Sequence, residues 1–332
     1  MQPGKATAIA HPNIALIKYW GNRDHALRIP ANSSLSMNLA GLSATTTVAF
    51  DDSLTEDGVV LNGVERSGAA KDRVVKMLDR VRAMANLHAC ARVESRNDFP
   101  SGAGLASSAA GFAALAVAAV AAAGLRLDEA ALSRLARTGS GSACRSVPGG
   151  YVEWQAGVED TSSFAFSIAP PEHWALRDVI AIIDAKHKSV GSTQGHALAD
   201  TSPMHAGRVA TIPDRLNRVK AAILNRDFAA LAPVVEEDAL AMHAVMMTSA
   251  PPLIYWQPAT IAVIHAVRAW RAGGLPVCFT IDAGANVHCL CEPSAAEEVQ
   301  RRLRAIAGVQ DALTASPGGP AHLVSNHLES VR

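Results

Sequence analysis

The sequence predicts an α/β fold of two lobes with a cleft between them. The first observation is length, because 332 residues exceed what a single hydrophobic core usually organises. The second is a change of pattern: strand-like segments dominate roughly the first ninety residues, and helical periodicity dominates beyond the polar stretch at 186–192. We therefore predict an N-terminal lobe at 1–185 and a C-terminal lobe at 186–332.

Strand-like and helical segments alternate in the N-terminal half. Residues 36–50 are β-rich, and Asn62-Gly63 is a strong tight-turn signal between short strands. Residues 71–84 place apolar side chains three and four positions apart, as an amphipathic helix does. The pattern then predicts a strand at 91–95, an alanine-rich helix from about 105, a helix at 127–137 and strands at 149–154 and 179–184.

The C-terminal half is mainly helical and contains one pair of strands. Its apolar spacing predicts helices at 216–224, 228–247 and 258–272. Two short apolar segments, 277–281 and 287–290, are predicted to form neighbouring strands. A last helix at 295–307 precedes a short tail.

Composition and charge favour a metabolite-binding protein. The 30 basic side chains balance 30 acidic ones, so no long-range field attracts nucleic acid or an anionic membrane. The five cysteines are odd in number and lie mostly in apolar stretches, which does not indicate a disulfide framework. Cys289 and Cys291 lack a second nearby pair, so we do not expect a metal there. The first twenty residues do not form a secretory signal, and a cytoplasmic location is expected.

Residues 105–125 carry no charge and are long enough to cross a membrane. Most of their apolar side chains belong to alanine, which is weakly hydrophobic and packs closely against neighbouring elements. The run also opens on Ser107-Ser108 and closes at Gly124. We therefore predict a buried helix in the centre of a soluble lobe instead of a membrane span.

The segment PSGAGLASSAA at 100–110 is a candidate phosphate-binding loop. Gly102 and Gly104 allow backbone N–H groups to approach a ligand, and the helix that follows offers partial positive charge at its N-terminus. The hydroxyls of Ser107 and Ser108 are placed to reach a phosphate oxygen or a Mg²⁺ ion. The segment lacks the Gly-Lys-Ser/Thr ending of a Walker motif. The alternative is an ordinary glycine turn with capping serines.

Two further segments are candidates for ligand binding. Residues 140–145 (SGSACR) combine hydroxyls, backbone amides and a guanidinium that can converge on a carboxylate or phosphate. The alternative is a helix-ending loop with a solvated Arg145. Residues 13–24 (NIALIKYWGNRD) place charged and aromatic side chains directly after an apolar strand, a pattern typical of a strand that ends in a cleft. The alternative is an edge strand with a charged end.

Asp282 is the only charged side chain in the apolar stretch 275–290. Burial of an unpaired carboxylate is costly, so this residue requires a cationic partner, a metal or a role as a base. The alternative is a turn aspartate that caps the bend at 283–285.

Together these segments resemble the mevalonate diphosphate decarboxylases of the GHMP kinase superfamily. The resemblance implies a GHMP-kinase-like two-lobed fold built of two-layer α+β sandwiches, a homodimer, and an active site between the lobes that uses ATP and Mg²⁺. Such enzymes phosphorylate the tertiary 3-hydroxyl of mevalonate 5-diphosphate and then eliminate phosphate and CO₂ to give isopentenyl diphosphate. The matching segments are NIALIKYWGNRD at 13–24, NSSLS at 32–36, NDFPSGAGLASSAAGF at 97–112, GSGSACR at 139–145, GSTQG at 191–195, PPLIY at 251–255 and DAG at 282–284.

The resemblance also implies roles for individual residues. Asp282 would be the base or orienting group for the 3-hydroxyl, with Lys18 beside it. Arg145 would hold the substrate carboxylate, and Ser107 would help to place the γ-phosphate and Mg²⁺. The implied nucleotide-binding residues are Ser95, Asn97, Pro100, Gly102, Ala103, Gly104, Leu105, Ala106, Ser107 and Ser108. The implied substrate-binding residues are Tyr19, Asn22, Arg73, Ser140, Gly141, Ser142, Arg145 and Ser192.

Asn22 departs from the family pattern. Members of the diphosphate type carry Lys in a Gly-Lys-Arg-Asp motif or a close variant, so this chain lacks a positive charge near the terminal phosphate. His196, where an apolar residue is common, is a candidate to replace that charge at low pH. The sequence therefore favours mevalonate 5-monophosphate over the diphosphate as substrate. The alternatives are a mevalonate-type 3-kinase without decarboxylation and an inactive metabolite-binding relative.

Overall fold

The computed structural model describes residues 4–99, 106–185 and 190–328. The helices in these ranges are α1 Gly68–Ala85, α2 Ser107–Ala122, α3 Glu129–Gly139, α4 Ser192–His196, α5 His205–Asn225, α6 Phe228–Met247, α7 Pro258–Ala272 and α8 Ala296–Arg304. The strands are β1 Lys5–Ala10, β2 Asn13–Ile17, β3 Asn22–Asp24, β4 Ile29–Pro30, β5 Ser34–Ala40, β6 Ala44–Asp51, β7 Gly58–Leu61, β8 Val64–Glu65, β9 Cys90–Asn97, β10 Tyr151–Trp154, β11 Ala165–Ala169, β12 Arg177–Ile182, β13 Val277–Thr280, β14 Val287–Cys291, β15 Asp311–Pro317 and β16 His322–Val324.

The first layer of strands is a six-stranded sheet in the order β16-β1-β6-β9-β7-β8. Helix α2 packs against β1 and β6, and nearly all of its side chains are buried. Alanine allows this close approach because its side chain is no larger than a methyl group. The prediction of a buried alanine-rich helix is therefore confirmed. Among the helices in the described residues, none has the length and apolarity needed to span a membrane.

The second sheet has eight strands and joins the two halves of the chain. Its order is β11-β10-β5-β15-β12-β14-β13, with β2 paired to β5, and the halves meet where Pro317 of β15 pairs with Leu39 of β5. Successive side chains of a strand point to opposite faces. Accordingly, Ile180 of β12 packs with α5 and α6 on one face, and Val179 packs with α7 and α8 on the other. The predicted α+β sandwich architecture is confirmed.

The predicted helix bounds differ from the structure by up to three residues at several ends and by eleven residues at the start of α5. Helix α5 begins at His205 instead of residue 216, because its first half contains Pro213 and buries Arg208 and Arg215 in place of apolar residues. Helix α8 ends at Arg304 and not at residue 307. The predicted lobe boundary adjoins residues 186–189, which lie outside the described ranges, and it stays a prediction.

Candidate active site

Two neighbouring cavities share a wall formed by Arg73, Ser107 and Ser108. The larger, which we call the cleft cavity, has a volume of about 550 Å³ and lies between the N-terminal helices and the α4–α6 region. The smaller, which we call the side cavity, has a volume of about 410 Å³ and lies between β9, α1 and α2. A substrate in one cavity and a nucleotide in the other would therefore meet at this shared wall.

The structure brings most of the predicted site residues to these cavities. Ser95 and Asn97 line the side cavity together with apolar residues such as Leu61 and Phe112. Pro100, Gly102, Ala103, Gly104 and Leu105 lie outside the described residues. The predicted residues that line the cleft cavity are Lys18, Tyr19, Arg73, Ala106, Ser107, Ser108, Ser140, Gly141, Ser142, Arg145, Ser192 and Asp282.

Lys18 and Asp282 form a salt bridge in the cleft cavity. The Lys18 Nζ lies 2.5 Å from Asp282 Oδ1, and the two side chains are 1% and 29% exposed. The Lys18 ammonium is therefore buried, and the Asp282 carboxylate is partly exposed to the cavity. Burial raises the pKa of Asp282, but the Lys18 charge and hydrogen bond outweigh this effect, so the net pKa lies below its ordinary value. Burial lowers the pKa of Lys18.

A buried network fixes the main chain of Lys18. Its backbone N–H donates to Asp238 Oδ2 at 2.6 Å, and its carbonyl accepts from Asn32 Nδ2 at 3.0 Å and from Arg208 at 2.9 Å. Asp238 also lies 3.6 Å from Arg208 and 3.5 Å from Arg215. This network was not predicted from the sequence. The signal that could have indicated it is Asp238, an acidic residue on the apolar face of α6.

Helix α6 also contacts the main chain that carries Asp282. His243 is buried beside the backbone of Ile281 and Asp282. Burial lowers the pKa of His243 to about 3, so its ring is neutral at physiological pH. One rigid helix therefore supports both members of the Lys18–Asp282 pair.

Arg145 is buried at the wall of the cleft cavity. Its Nη1 donates to Ser34 Oγ at 2.6 Å, while its Nε and Nη2 donate to Asn13 Oδ1 at 3.3 and 3.2 Å. The guanidinium also lies over the Trp154 ring, 5.8 Å from its centroid. These contacts use three of the five N–H groups of Arg145. They fix the orientation of the guanidinium and leave two N–H groups for a ligand.

The segment that carries Ser140 packs closely on Tyr19. Ser140 Oγ lies 3.2 Å from Ser108 Oγ, at the start of α2. A Cβ atom on Gly141 would lie 2.6 Å from the Tyr19 hydroxyl oxygen, so only glycine fits at this position. The absence of a side chain at Gly141 therefore allows the segment that carries Ser140 to lie directly against Tyr19.

The N-terminus of α2 provides the features expected of a phosphate site. Ser107 and Ser108 occupy its first turn, and no acidic residue stands there. The unpaired N–H groups of the first turn and the helix dipole favour an anion. Among residues 4–99, 106–185 and 190–328, no cluster of three acidic, histidine or cysteine side chains could hold a metal. Ser107 is the residue that would help to hold a Mg²⁺ ion brought in with nucleotide phosphates, and the ion would supply positive charge there.

Arg73 and Arg28 give the cleft cavity a positive wall. Arg73 donates to the Gly139 carbonyl at 2.8 Å, and its guanidinium lies 4.8 Å from the centroid of the Phe112 ring. Burial and the charge of Arg28 lower the pKa of Arg73 to about 10. An anion bound beside both guanidinium groups would offset the repulsion that lowers the pKa of Arg73.

The structure corrects the predicted position of Asn22 and places His196 at the wall of the cleft cavity. Asn22 does not line the cleft cavity; it lies behind Tyr19, whose hydroxyl donates to Asn22 Oδ1 at 2.5 Å. His196 does line the cavity, with its ring stacked 4.0 Å from that of Tyr19. Its Nδ1 accepts the Gly21 N–H at 3.0 Å, and this contact requires a neutral ring because a protonated imidazole has no acceptor. In this arrangement His196 acts as an acceptor and not as a cation, and its predicted charge at low pH stays a prediction.

Fold and site together define a GHMP-kinase-like enzyme whose cleft cavity is lined by Lys18, Arg28, Arg73 and Arg145. Residues 10–165 match the model of the diphosphomevalonate decarboxylase-like N-terminal domain. Residues 178–329 match the model of the mevalonate 5-diphosphate decarboxylase C-terminal domain. The chain belongs to the mevalonate diphosphate decarboxylase family, and it is therefore a carboxy-lyase.

Relatives and solved structures agree with this assignment. Diphosphomevalonate decarboxylase of Aspergillus fumigatus is 38% identical over 328 residues, which cover 92% of this chain and 81% of the relative. Phosphomevalonate decarboxylase of Haloferax volcanii is 38% identical over 323 residues, which cover 96% of this chain and 98% of the relative. A structure described as MDDEF in complex with MVAPP, AMPPCP and magnesium superposes with a TM-score of 0.91 at 39% identity, over 97% of this chain and 99% of that chain.

Proposed function

We propose that this enzyme decarboxylates mevalonate 5-monophosphate and releases isopentenyl phosphate, with ATP and Mg²⁺ as cosubstrate and metal. The coarser activity, ATP-dependent decarboxylation of a mevalonate phosphate in the mevalonate pathway, follows from the family. The choice of the monophosphate is the new element. We also propose a homodimer, a state that light scattering of the purified protein would test.

The reacting groups are assigned to the Lys18–Asp282 end of the cleft cavity. Asp282 would accept a hydrogen bond from the 3-hydroxyl, and its low pKa suits an orienting carboxylate that takes the proton only as the new P–O bond forms. Lys18 balances its charge. Arg145 would bind the substrate carboxylate until CO₂ leaves, because its fixed fork matches a carboxylate in geometry.

The nucleotide is assigned to the side cavity. The apolar surfaces of Leu61 and Phe112 suit a flat base, with Ser95 and Asn97 at its rim. The phosphates would then cross the shared wall at Ser107 and Ser108, where α2 begins. Mg²⁺ supplies charge neutralisation for the transferred phosphoryl group when it is bound with the nucleotide.

The observation that carries the monophosphate proposal is the absence of a lysine at position 22. The 5-phosphate extends away from the reacting end, toward Tyr19 and Ser192, where Asn22 and the neutral His196 add no positive charge. A second phosphate brings more negative charge, and its burial without a matching cation is costly. Sequence identity does not decide the question, since the named diphosphate and monophosphate relatives above are both 38% identical to this chain.

The direct test is incubation with ATP and each mevalonate phosphate, with ADP and the isopentenyl product measured together. We expect equal amounts of ADP and isopentenyl product, and a higher kcat/KM with the monophosphate. ADP without alkene would indicate the 3-kinase alternative, and neither product would indicate an inactive relative. A higher kcat/KM with the diphosphate would overturn the substrate assignment.

Asn22→Lys is expected to shift the preference toward the diphosphate. Lysine is longer than asparagine and can extend past Tyr19, where its charge would offset the second phosphate. We expect the ratio of kcat/KM for diphosphate to that for monophosphate to rise about tenfold, which corresponds to one favourable charge contact. Asn22→Met, which removes the Tyr19 contact without adding charge, is the control. An unchanged ratio in Asn22→Lys, or an equal rise in Asn22→Met, would contradict the charge argument.

A further inference from the structure

We infer that Arg28 is the cation that binds the 5-phosphate and limits the site to one phosphate group. Arg28 lines the cleft cavity together with Tyr19, Ser192 and Thr193, at the end to which the proposed function assigns the 5-phosphate. The inference deepens the proposed function, since it rests on the placement of the 5-phosphate at this end. Sequence reasoning did not single out this residue, because it lies in a short turn between two strands.

The backbone at Arg28 is unusual for an arginine. The residue follows the turn between β3 and β4 and has a φ of 54°, in the left-handed region. Glycine or asparagine is favoured in this conformation, and other residues cost about 1–2 kcal/mol there. Such conformations concentrate at functional sites, where the side chain is needed in a position that a relaxed backbone would not give.

The side chain of Arg28 is held at the cavity wall by neutral groups. Its Nε donates to the Thr138 carbonyl at 3.1 Å, and its Nη1 lies 3.5 Å from Thr193 Oγ1. Among the residues that the structure describes, no carboxylate lies within salt-bridge distance of this guanidinium. A half-buried guanidinium without an acid partner is a site for an anionic ligand.

The surrounding groups fit one phosphate better than two. An arginine fork can bind two oxygens of a single phosphate, and the hydroxyls of Ser192 and Thr193 can donate to a third. The second nearby guanidinium, Arg73, lies at the shared wall, where the nucleotide phosphates are assigned. Among the residues that the structure describes, Arg28 would therefore be the principal positive charge at the 5-phosphate end.

The test compares Arg28→Asn with the wild type. Asparagine tolerates the left-handed backbone, so this variant removes the charge without adding backbone strain. We expect KM for mevalonate 5-monophosphate to rise about 10- to 100-fold, as the loss of a charge-assisted pair of hydrogen bonds implies. We expect kcat to change less than about threefold and KM for ATP to stay constant, because the 5-phosphate does not react. Arg28→Lys should recover part of the affinity, since it restores charge but not the fork.

Arg23→Asn is the matched control. Arg23 lies in β3, close to Arg28 in sequence, but donates to the carbonyls of Gly157 and Ala31 on the exposed side and does not line the cleft cavity. An unchanged KM in Arg28→Asn, an equal effect in Arg23→Asn, or a rise in KM for ATP alone would overturn the inference. Failure of the proposed function differs from failure of this inference. A wild-type preference for the diphosphate refutes the monophosphate proposal. A raised KM for the preferred substrate in Arg28→Asn would still support phosphate binding by Arg28.

Discussion

Asp282→Asn is expected to lower kcat by about 10²- to 10⁴-fold with either mevalonate phosphate, the range typical of a lost acid–base or orienting group. The substitution preserves shape but removes the charge that pairs with Lys18 at 2.5 Å. The amide cannot accept the proton of the 3-hydroxyl, and the buried ammonium loses its counter-charge. The rate is measured as ADP and alkene release under saturating ATP and substrate.

Nucleotide binding separates this effect from misfolding. Asp282 does not line the side cavity, so the affinity for ATP measured by calorimetry should change less than about threefold. Asp311→Asn is the control, because Asp311 is an exposed carboxylate paired with Arg304 and does not line either cavity. A turnover rate in Asp282→Asn within a few-fold of the wild type would refute the catalytic role of this residue.

The Lys18–Asp282 pair illustrates how far the sequence leads. A lone carboxylate in the apolar stretch 275–290 predicted a cationic partner, and the structure supplies one. The partner is 264 positions away along the chain, and no local pattern identifies it. Lys18 was identified only through the resemblance to the family, because hydrophobic periodicity does not indicate which distant residue pairs with Asp282.

The supporting network was not predictable from patterns. Asp238, Arg208 and Arg215 are buried polar residues on helices whose buried positions are mostly apolar. Periodicity treats such residues as solvent-facing, and this is also why α5 was predicted to begin eleven residues too late. Only the three-dimensional arrangement shows that they hold the backbone of Lys18.

Side-chain direction was the other limit. Asn22 was predicted to contact the substrate, yet its amide faces the Tyr19 hydroxyl. Arg28 lies only six positions further on and reaches the cavity from a left-handed turn. A sequence lists both residues but does not tell which of them faces the ligand, since that depends on the turn geometry between β3 and β4.

Arg145→Gln is expected to separate activity from stability. Arg145 is buried and, among residues 4–99, 106–185 and 190–328, has no carboxylate within salt-bridge distance, so its charge is costly to the folded protein. Glutamine can still donate to Asn13, and the cost of the charge disappears. We expect kcat/KM to fall about 10²- to 10³-fold, as for the loss of a fixed donor to a reacting group, while the melting temperature stays constant or rises.

Arg137→Gln should show the opposite behaviour. Arg137 is also fully buried, but it pairs with Asp160 at 2.5 Å, donates to the Ser163 carbonyl and does not line the cleft cavity. Its loss leaves Asp160 and that carbonyl without their donor, so the melting temperature should fall while kcat/KM per folded molecule is retained. Thermal unfolding and steady-state kinetics on both variants complete the comparison. If Arg145→Gln behaves like Arg137→Gln, Arg145 is a structural residue and the substrate carboxylate must be bound elsewhere.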